Sequence, residues 1–192
     1  MRSYKGSIRT GCGIHLPESG FNPGRKTCTI DSPSGMRNQP KPPGNRALRR
    51  GRHSQPGGIY LITTTTISRA PLFNDFWRAR AAIMAMNHPA SLGDARLLAW
   101  VLMPDHLHLL LQVGVDDLLS MVVGRIKSRS ATAANRSSMQ SAGVWSKGYH
   151  DRALRQVDDI RATARYIVAN PVRAGLVRRC GDYPFWDAAW LV

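Results

Sequence analysis

Two histidines, His106 and His108, stand one residue apart in the apolar stretch VLMPDHLHLLLQV, residues 101–113. Side chains along a β-strand alternate between its two faces, so both imidazoles would point one way while Leu107 and Leu109 would point the other way. Two imidazoles at this spacing can converge on a single metal ion. The alternative interpretation is a solvated sheet face that carries two histidines, and the pattern by itself leaves both open.

A tyrosine and an asparagine, Tyr166 and Asn170, lie further along the chain in the stretch ARYIVANPVRAGLV. Residues four apart share one face of a helix, and Asn170, just before Pro171, would lie at the helix end. Its amide oxygen could then supply the oxygen donor that a hard divalent ion needs besides two imidazoles. A phenol has a pKa of about 10 and is a poor nucleophile until a metal or a base assists it. The alternative is structural, with Tyr166 packed and Asn170 as a cap.

Composition and charge narrow the class of partner. The chain has 192 residues, 43% of them hydrophobic, with a net charge of +15 and a pI of about 11.0. Such a charge predicts a polyanionic partner or an anionic membrane. No apolar run approaches the roughly 18 residues that cross a bilayer, and the N-terminus lacks the apolar segment of a secretory signal. Three scattered cysteines favour a reducing compartment. Nucleic acid is therefore the expected partner, and the protein is expected in the cytoplasm, associated with the nucleoid.

The chain divides into a tail, residues 1–45, and a domain, residues 46–192. The tail is rich in Gly, Pro, Ser and Asn without apolar periodicity, which predicts disorder. The domain alone carries twenty Lys and Arg against ten Asp and Glu, so its charge does not depend on the tail. The tail could grip phosphate groups, or it could reflect a start codon placed too early, since Met36 precedes a more conventional opening.

The pattern of apolar residues in the domain predicts a mixed α+β fold. Strands and helices alternate in the order strand, helix, strand–strand hairpin, helix and further helix, which is typical of a split β-α-β arrangement with an antiparallel sheet and helices on one face. The predicted strands lie at 59–67, within 94–104 and at 106–113, and the predicted helices lie at 72–87, within 116–136 and at 158–170.

Several stretches together resemble a known family. MPDHLHLLLQ resembles the histidine–hydrophobic–histidine (HUH) motif of single-strand DNA nucleases, and YIVANPVRAGLV resembles the tyrosine helix of the single-tyrosine HUH transposases. With RRGRHSQPGGIYLITTTT and GYHDRALR, they resemble the REP-associated tyrosine transposases, domesticated relatives linked to repetitive extragenic palindromes in bacteria. The resemblance covers residues 46–187, nearly the whole domain.

The resemblance implies a fold, a cofactor and a reaction. The fold would be ferredoxin-like, with Mg²⁺ or Mn²⁺ held by His106, His108 and Asn170. Tyr166 would attack a DNA phosphate, giving a 5′-phosphotyrosine and a free 3′-OH. The substrate would be single-stranded DNA folded as a hairpin, a REP-like palindrome with a short guide tetranucleotide beside it, and the protein would act as a monomer.

The basic residues of the domain are the expected DNA contacts. The resemblance places a hairpin-reading arm before the first strand, and GYHDRALR leads directly into the tyrosine helix. The candidates are Arg49, Arg50, Arg52, His150, Arg152, Arg155 and Arg173.

Two other functions stay open at this stage. The first is a ferredoxin-like nucleic-acid-binding protein without catalysis, whose histidines are structural. The second is a hydrolytic metalloenzyme on another substrate, which would need a carboxylate base near the histidines, and Asp105 is the one available in that stretch.

Overall fold

The computed structural model describes residues 54–139, 141–154 and 157–189, with the side chains of the last range from Ile160 onward. The tail at residues 1–45, predicted to be disordered, lies outside the described residues. In the described part, five strands form one antiparallel sheet in the spatial order β4-β1-β3-β2-β5. The strands are β1 (Ile59–Thr65), β2 (Arg96–Leu102), β3 (His106–Gln112), β4 (His150–Leu154) and β5 (Trp186–Ala188).

The α-helices of the described residues connect these strands or follow them. They are α1 (Phe76–Met86), α2 (Pro89–Leu92), α3 (Leu119–Ser138), α4 (Val157–Val168) and α5 (Asn170–Arg173). The helix α1 joins β1 to β2 and α3 joins β3 to β4, so the first four strands have the β-α-β-β-α-β order of a ferredoxin-like fold. The α+β, ferredoxin-like prediction is confirmed, and β5 extends the sheet beside β2.

One face of the sheet is covered by α1 and α3, as predicted. The odd-numbered leucines of β3 point to this face because side chains alternate along a strand. They pack with residues of α1 and α3 in one buried cluster, whose members include Ile62, Ala79, Leu107, Leu109, Leu111, Val122 and Ile126. Among the described residues, the larger of the two buried apolar clusters therefore lies between the sheet and these two helices.

The opposite face of the sheet is covered in part by α4, which the prediction of helices on one face did not include. Leu110 of β3 points to this side and is fully buried with Ile167 and Val168 of α4. Ala99 and Val101 of β2 belong to the same cluster. The face that carries the two histidines is thus also the face on which the tyrosine helix packs.

Two strands were not predicted from the sequence. No strand was predicted between the helix within 116–136 and the helix at 158–170, but His150–Leu154 pairs with β1 along the edge of the sheet. It carries a mostly exposed, polar sequence, HDRAL, which lacks the apolar alternation of a half-buried strand. The strand β5 has only three residues, too few for any periodicity to show.

Two helix boundaries also differ from the predictions. The helix α1 begins at Phe76 rather than at residue 72, because the Asp75 side chain accepts a hydrogen bond from the Arg78 backbone N–H and caps the helix there. The helix α4 ends at Val168, and Asn170 opens the short helix α5. Pro171 lies in the first turn of α5, where a backbone N–H would have no partner within the helix, so the N–H that proline lacks costs no hydrogen bond.

The packing of α4 on the sheet predicts a large cost for truncating Leu110. We expect Leu110→Ala to lower the free energy of unfolding by about 2–5 kcal/mol, because the side chain is fully buried between sheet and helix. Leu176→Ala is the matched control, since Leu176 is 47% exposed, and it should change stability by roughly 0.5 kcal/mol or less. Urea unfolding measures both, and equal effects would contradict the described packing.

Candidate active site

The two histidines lie side by side on β3 and point to the same face of the sheet. Their ring centroids are 4.8 Å apart, and the ring planes are inclined at 84° to each other. Neither side chain is fully buried, whereas Leu107 between them is. The alternation predicted from the sequence is therefore present, with the imidazoles on one face and the leucines on the other.

The imidazole of His106 is held by the preceding residue, Asp105. His106 Nδ1 and Asp105 Oδ1 are 2.5 Å apart, and Arg69 Nη1 donates to the other carboxylate oxygen at 3.0 Å. Burial would raise the pKa of Asp105, but the hydrogen bonds from His106 and Arg69 outweigh it and lower that pKa. In the neutral tautomer that donates a hydrogen bond from Nδ1 to the Asp105 carboxylate, Nε2 of His106 carries the lone pair.

The imidazole of His108 is held by a neighbouring strand. Thr63 lies directly opposite His108 in the β1–β3 register, and its Oγ1 is 2.8 Å from His108 Nδ1. Burial lowers the pKa of His108 to about 4, with smaller contributions from the nearby His106 and Arg69. The ring is therefore neutral at pH 7, with Nδ1 engaged and Nε2 left for another ligand.

The predicted nucleophile and third ligand lie at the end of α4. The Tyr166 side chain is 48% exposed. The amide nitrogen of Asn170 donates to the carbonyl oxygens of Tyr166 and Ile167, each at 3.0 Å, so Asn170 does cap the helix as the structural alternative proposed. Because the cap uses only Nδ2, Oδ1 keeps its acceptor capacity. The capping and ligand roles of Asn170 are compatible.

The last turn of α4 packs beside the histidine end of the sheet. Val101 of β2 lies directly opposite His108, and Met103 N donates to His106 O at 2.8 Å. Both residues are buried in the same cluster as Ile167 and Val168. Residues far apart in sequence, on β3 and at the end of α4, are thus brought to one region on one face of the sheet.

Arg173 lies one further turn along the chain and contacts the tyrosine itself. Its guanidinium carbon is 4.2 Å from the centroid of the Tyr166 ring, the geometry of a cation–π contact. Arg173 was predicted as a phosphate contact. Its position over the ring places a positive charge beside the phenol, where a phosphate that approaches Tyr166 would meet it.

Two other predicted DNA contacts, His150 and Arg152, lie on the same face as the histidine pair. In the β1–β4 register His150 lies opposite Thr63, and Thr63 in turn lies opposite His108. Directly opposed residues share a face, so His108, Thr63 and His150 form a row across three strands. Arg152 is two residues along β4 and points the same way, and both basic side chains are exposed.

The remaining predicted DNA contacts lie outside the described residues. They are Arg49, Arg50, Arg52 and Arg155. Their roles stay predictions.

Several residues of the site were not found from the sequence. Thr63 belongs to a run of four threonines, and strand alternation could have separated the two faces, but the register against β3 is set by tertiary structure. Arg69 lies in a short 3₁₀ turn with no motif around it. Asp105 was weighed only as a carboxylate base, whereas both of its oxygens are engaged, by His106 and by Arg69.

The side chains present suit a divalent cation. The hydrogen bonds to both Nδ1 atoms fix the orientation of the rings, the usual arrangement around metal-bound histidine. Two imidazoles and one amide oxygen, completed by water or phosphate oxygens, form a mixed donor set that Mg²⁺ or Mn²⁺ accepts. Within 54–139, 141–154 and 157–189, no cluster of three or more His, Cys, Asp or Glu offers a richer site.

Comparison with models of protein families assigns the chain to one family. Residues 55–170 match the family model described as "Transposase IS200 like", a segment that contains both histidines, Tyr166 and Asn170. The chain belongs to the IS200-like transposase family. This IS200-like transposase is 28% identical over 133 residues to the REP-associated tyrosine transposase of Escherichia coli K12, across 67% of this chain and 75% of that protein.

A solved structure agrees with the sequence comparison. The fold is similar to that of a REP-associated tyrosine transposase bound to a REP hairpin, with a TM-score of 0.57 and 25% identity over 70% of this chain and 79% of that one. The resemblance inferred from the sequence is therefore confirmed as a distant homology. In the part of the transposase that the structure describes, no helix has the length and apolarity to span a membrane.

The bond from Thr63 to His108 predicts an effect on metal binding. We expect Thr63→Val to weaken Mn²⁺ affinity by about 10-fold or more, because the isosteric side chain cannot hold Nδ1. Thr63→Ser keeps the hydroxyl and should remain close to the wild type. Calorimetric titration with Mn²⁺ measures both, and an unchanged affinity in Thr63→Val would rule out this support.

Proposed function

We propose that this IS200-like transposase is a metal-dependent single-stranded DNA endonuclease and strand transferase. It acts on hairpin or palindromic DNA through a covalent 5′-phosphotyrosine at Tyr166. The observation that carries the proposal is that the two oriented histidines lie on the same face of the sheet on which the tyrosine helix packs.

The proposed reaction is a transesterification. The Tyr166 phenolic oxygen attacks the phosphorus and loses its proton, and the bond from phosphorus to the 3′ oxygen breaks. The departing 3′ oxygen takes up a proton, so the products are a 5′-phosphotyrosine and a free 3′-OH. The phosphotyrosine ester retains the bond energy, so a 3′-OH can reverse the step and join strands without a nucleotide cofactor.

The protein side chains divide the remaining work. His106, His108 and Asn170 would hold the divalent ion, which when bound polarises the scissile phosphate and offsets charge on its oxygens. Asp105 and Thr63 engage the Nδ1 atoms of the two rings, which leaves the Nε2 atoms to bind the ion. Arg173, stacked on the Tyr166 ring, holds the ring in place and adds positive charge where the phosphate must approach.

Exposure separates Tyr166 from another tyrosine near the sheet. The Tyr183 hydroxyl donates to the Leu102 carbonyl at 2.7 Å, and burial raises the pKa of Tyr183 to about 12. The hydroxyl of Tyr183 is therefore engaged in a hydrogen bond and is hard to ionise. Tyr166 is half exposed, so DNA can reach it from solvent, which supports it as the nucleophile.

The choice of DNA as substrate rests on charge and on the relatives. The net charge of +15 favours a polyanion, and His150 and Arg152 present exposed basic groups beside the histidine pair. A similar structure is that of a transposase bound to a REP hairpin. A hairpin therefore is the first substrate to test, with the single strand passing over the face that carries His108 and Thr63.

Substituting the nucleophile gives the sharpest test of this function. With a labelled single-stranded hairpin and Mn²⁺, the wild type should form an adduct that survives denaturation, and Tyr166→Phe should form none while it retains hairpin affinity. Tyr183→Phe is the matched control, since it removes the same hydroxyl from a partly buried position, where it bonds to the Leu102 carbonyl, and should still form the adduct.

The outcomes of this experiment separate the candidate functions. An adduct that persists in Tyr166→Phe would show that the nucleophile is another residue. Hairpin binding by the wild type without any adduct, across several hairpin sequences, would favour the non-catalytic nucleic-acid-binding protein.

The position of Arg152 predicts a measurable share of DNA affinity. We expect Arg152→Ala to weaken hairpin binding and to reduce the slope of log K against log salt by about 1, as loss of one phosphate contact does. Arg80→Ala, an exposed arginine on α1 across the sheet, is the control for net charge. Equal slopes in the two variants would exclude a specific contact at Arg152.

A further inference from the structure

A short turn after β1 contains two residues in an unfavourable backbone conformation. Ser68 has φ of 53° and Arg69 has φ of 51°, in the left-handed region that favours glycine. The turn is held in place by Thr66, whose backbone N–H and side-chain hydroxyl both donate to the Asp105 carbonyl, at 2.8 and 3.0 Å. Backbone strain of this kind persists where the surroundings enforce it, and it clusters at functional sites.

The strained turn directs one side chain at the histidine site. Arg69 Nη1 donates to Asp105 Oδ2, and the other oxygen of the same carboxylate contacts His106 Nδ1. The Arg69 side chain is 66% exposed, and an ion pair at such a position contributes little to stability. Fold stability therefore does not explain why the chain tolerates the strain at this turn.

The geometry points to Arg69 as a positioning residue that acts on His106 through Asp105. By holding Oδ2, Arg69 fixes the rotation of the carboxylate so that Oδ1 stays on His106 Nδ1. This selects the tautomer with the proton on Nδ1 and directs Nε2 at the divalent ion. The inference rests on the proposed function, because it assigns Arg69 to the same metal-binding site.

The tautomer of His106 can be read in the metal-free protein. A ¹⁵N–¹H correlation spectrum of the imidazoles should show His106 protonated at Nδ1 in the wild type. Arg69→Ala and Asp105→Asn should both shift the ring toward a mixture with the Nε2-protonated form. Arg80→Ala removes the same charge from α1 and should leave the spectrum of His106 unchanged. The Asp105 carbonyl, not its side chain, anchors the turn, so Asp105→Asn should still fold.

Mn²⁺ affinity tests whether Arg69 acts through Asp105. We expect Asp105→Asn to weaken Mn²⁺ binding by about 10-fold or more and Arg69→Ala by about 3- to 10-fold, as loss of support to a ligating histidine does. In the Asp105→Asn background, Arg69→Ala should add no further loss, because the coupling runs through the carboxylate. Arg69→Lys keeps a donor and should recover most of the affinity.

Glycine at the same position separates the guanidinium from the strain. Arg69→Gly removes the side chain but suits the positive φ, so its Tm should equal or exceed that of the wild type. Its Mn²⁺ affinity should nonetheless fall as in Arg69→Ala. A lower Tm together with unchanged affinity would show that Arg69 is structural and would overturn the inference.

The remaining outcomes distinguish this inference from the proposed function. If Arg69→Ala leaves the tautomer and Mn²⁺ affinity unchanged but weakens hairpin binding in EDTA, Arg69 is a phosphate contact and the inference fails while the function stands. Neither the tautomer nor Mn²⁺ affinity requires DNA cleavage. Absence of a wild-type covalent adduct would therefore overturn the function alone.

Discussion

The alternation of side chains along β3 is the constraint on which the rest of the structure depends. This central strand must complete the main core with Leu107, Leu109 and Leu111 while it presents His106 and His108 to the other face. A shift of one residue in register would exchange the two sets and place imidazoles in the core. Buried leucines on one face therefore fix the positions of the two histidines, the proposed metal ligands, on the other.

On the second face of the sheet, a core residue and a proposed metal ligand lie close together along β3. Leu110 is buried under α4, and this contact brings the end of the tyrosine helix to the sheet. Two residues away, His108 takes its orientation from Thr63 on the neighbouring strand. The orientation of the two imidazoles thus comes from hydrogen bonds within the sheet and its turns, whereas Tyr166 lies on a helix that packs separately on the sheet. A loss of α4 packing would therefore displace Tyr166, the proposed nucleophile, without disturbing the histidines.

Sequence patterns sufficed to predict an element where its apolar side chains repeat with the period of a helix or a strand. The central strands, α1, α3 and α4 follow such periods. The histidine pair and Tyr166 could be named as candidates because motif residues stand close together in the chain, and their roles stay predictions. The edge strand β4 has no apolar alternation, so its pairing, and with it the placement of His150 and Arg152, needed the structure. The roles proposed for Thr63 and Arg69 depend on tertiary register and on a strained turn, neither of which the local sequence encodes.

The central claim is that residues of β3 and of the α4–α5 junction form one metal site. Anomalous diffraction from crystals grown with Mn²⁺ tests it most directly. We expect a single strong peak within ligand distance, about 2.0–2.3 Å, of His106 Nε2, His108 Nε2 and Asn170 Oδ1. A peak bound through the Nδ1 atoms, one that excludes the histidines, or none at saturating Mn²⁺ would contradict the claim.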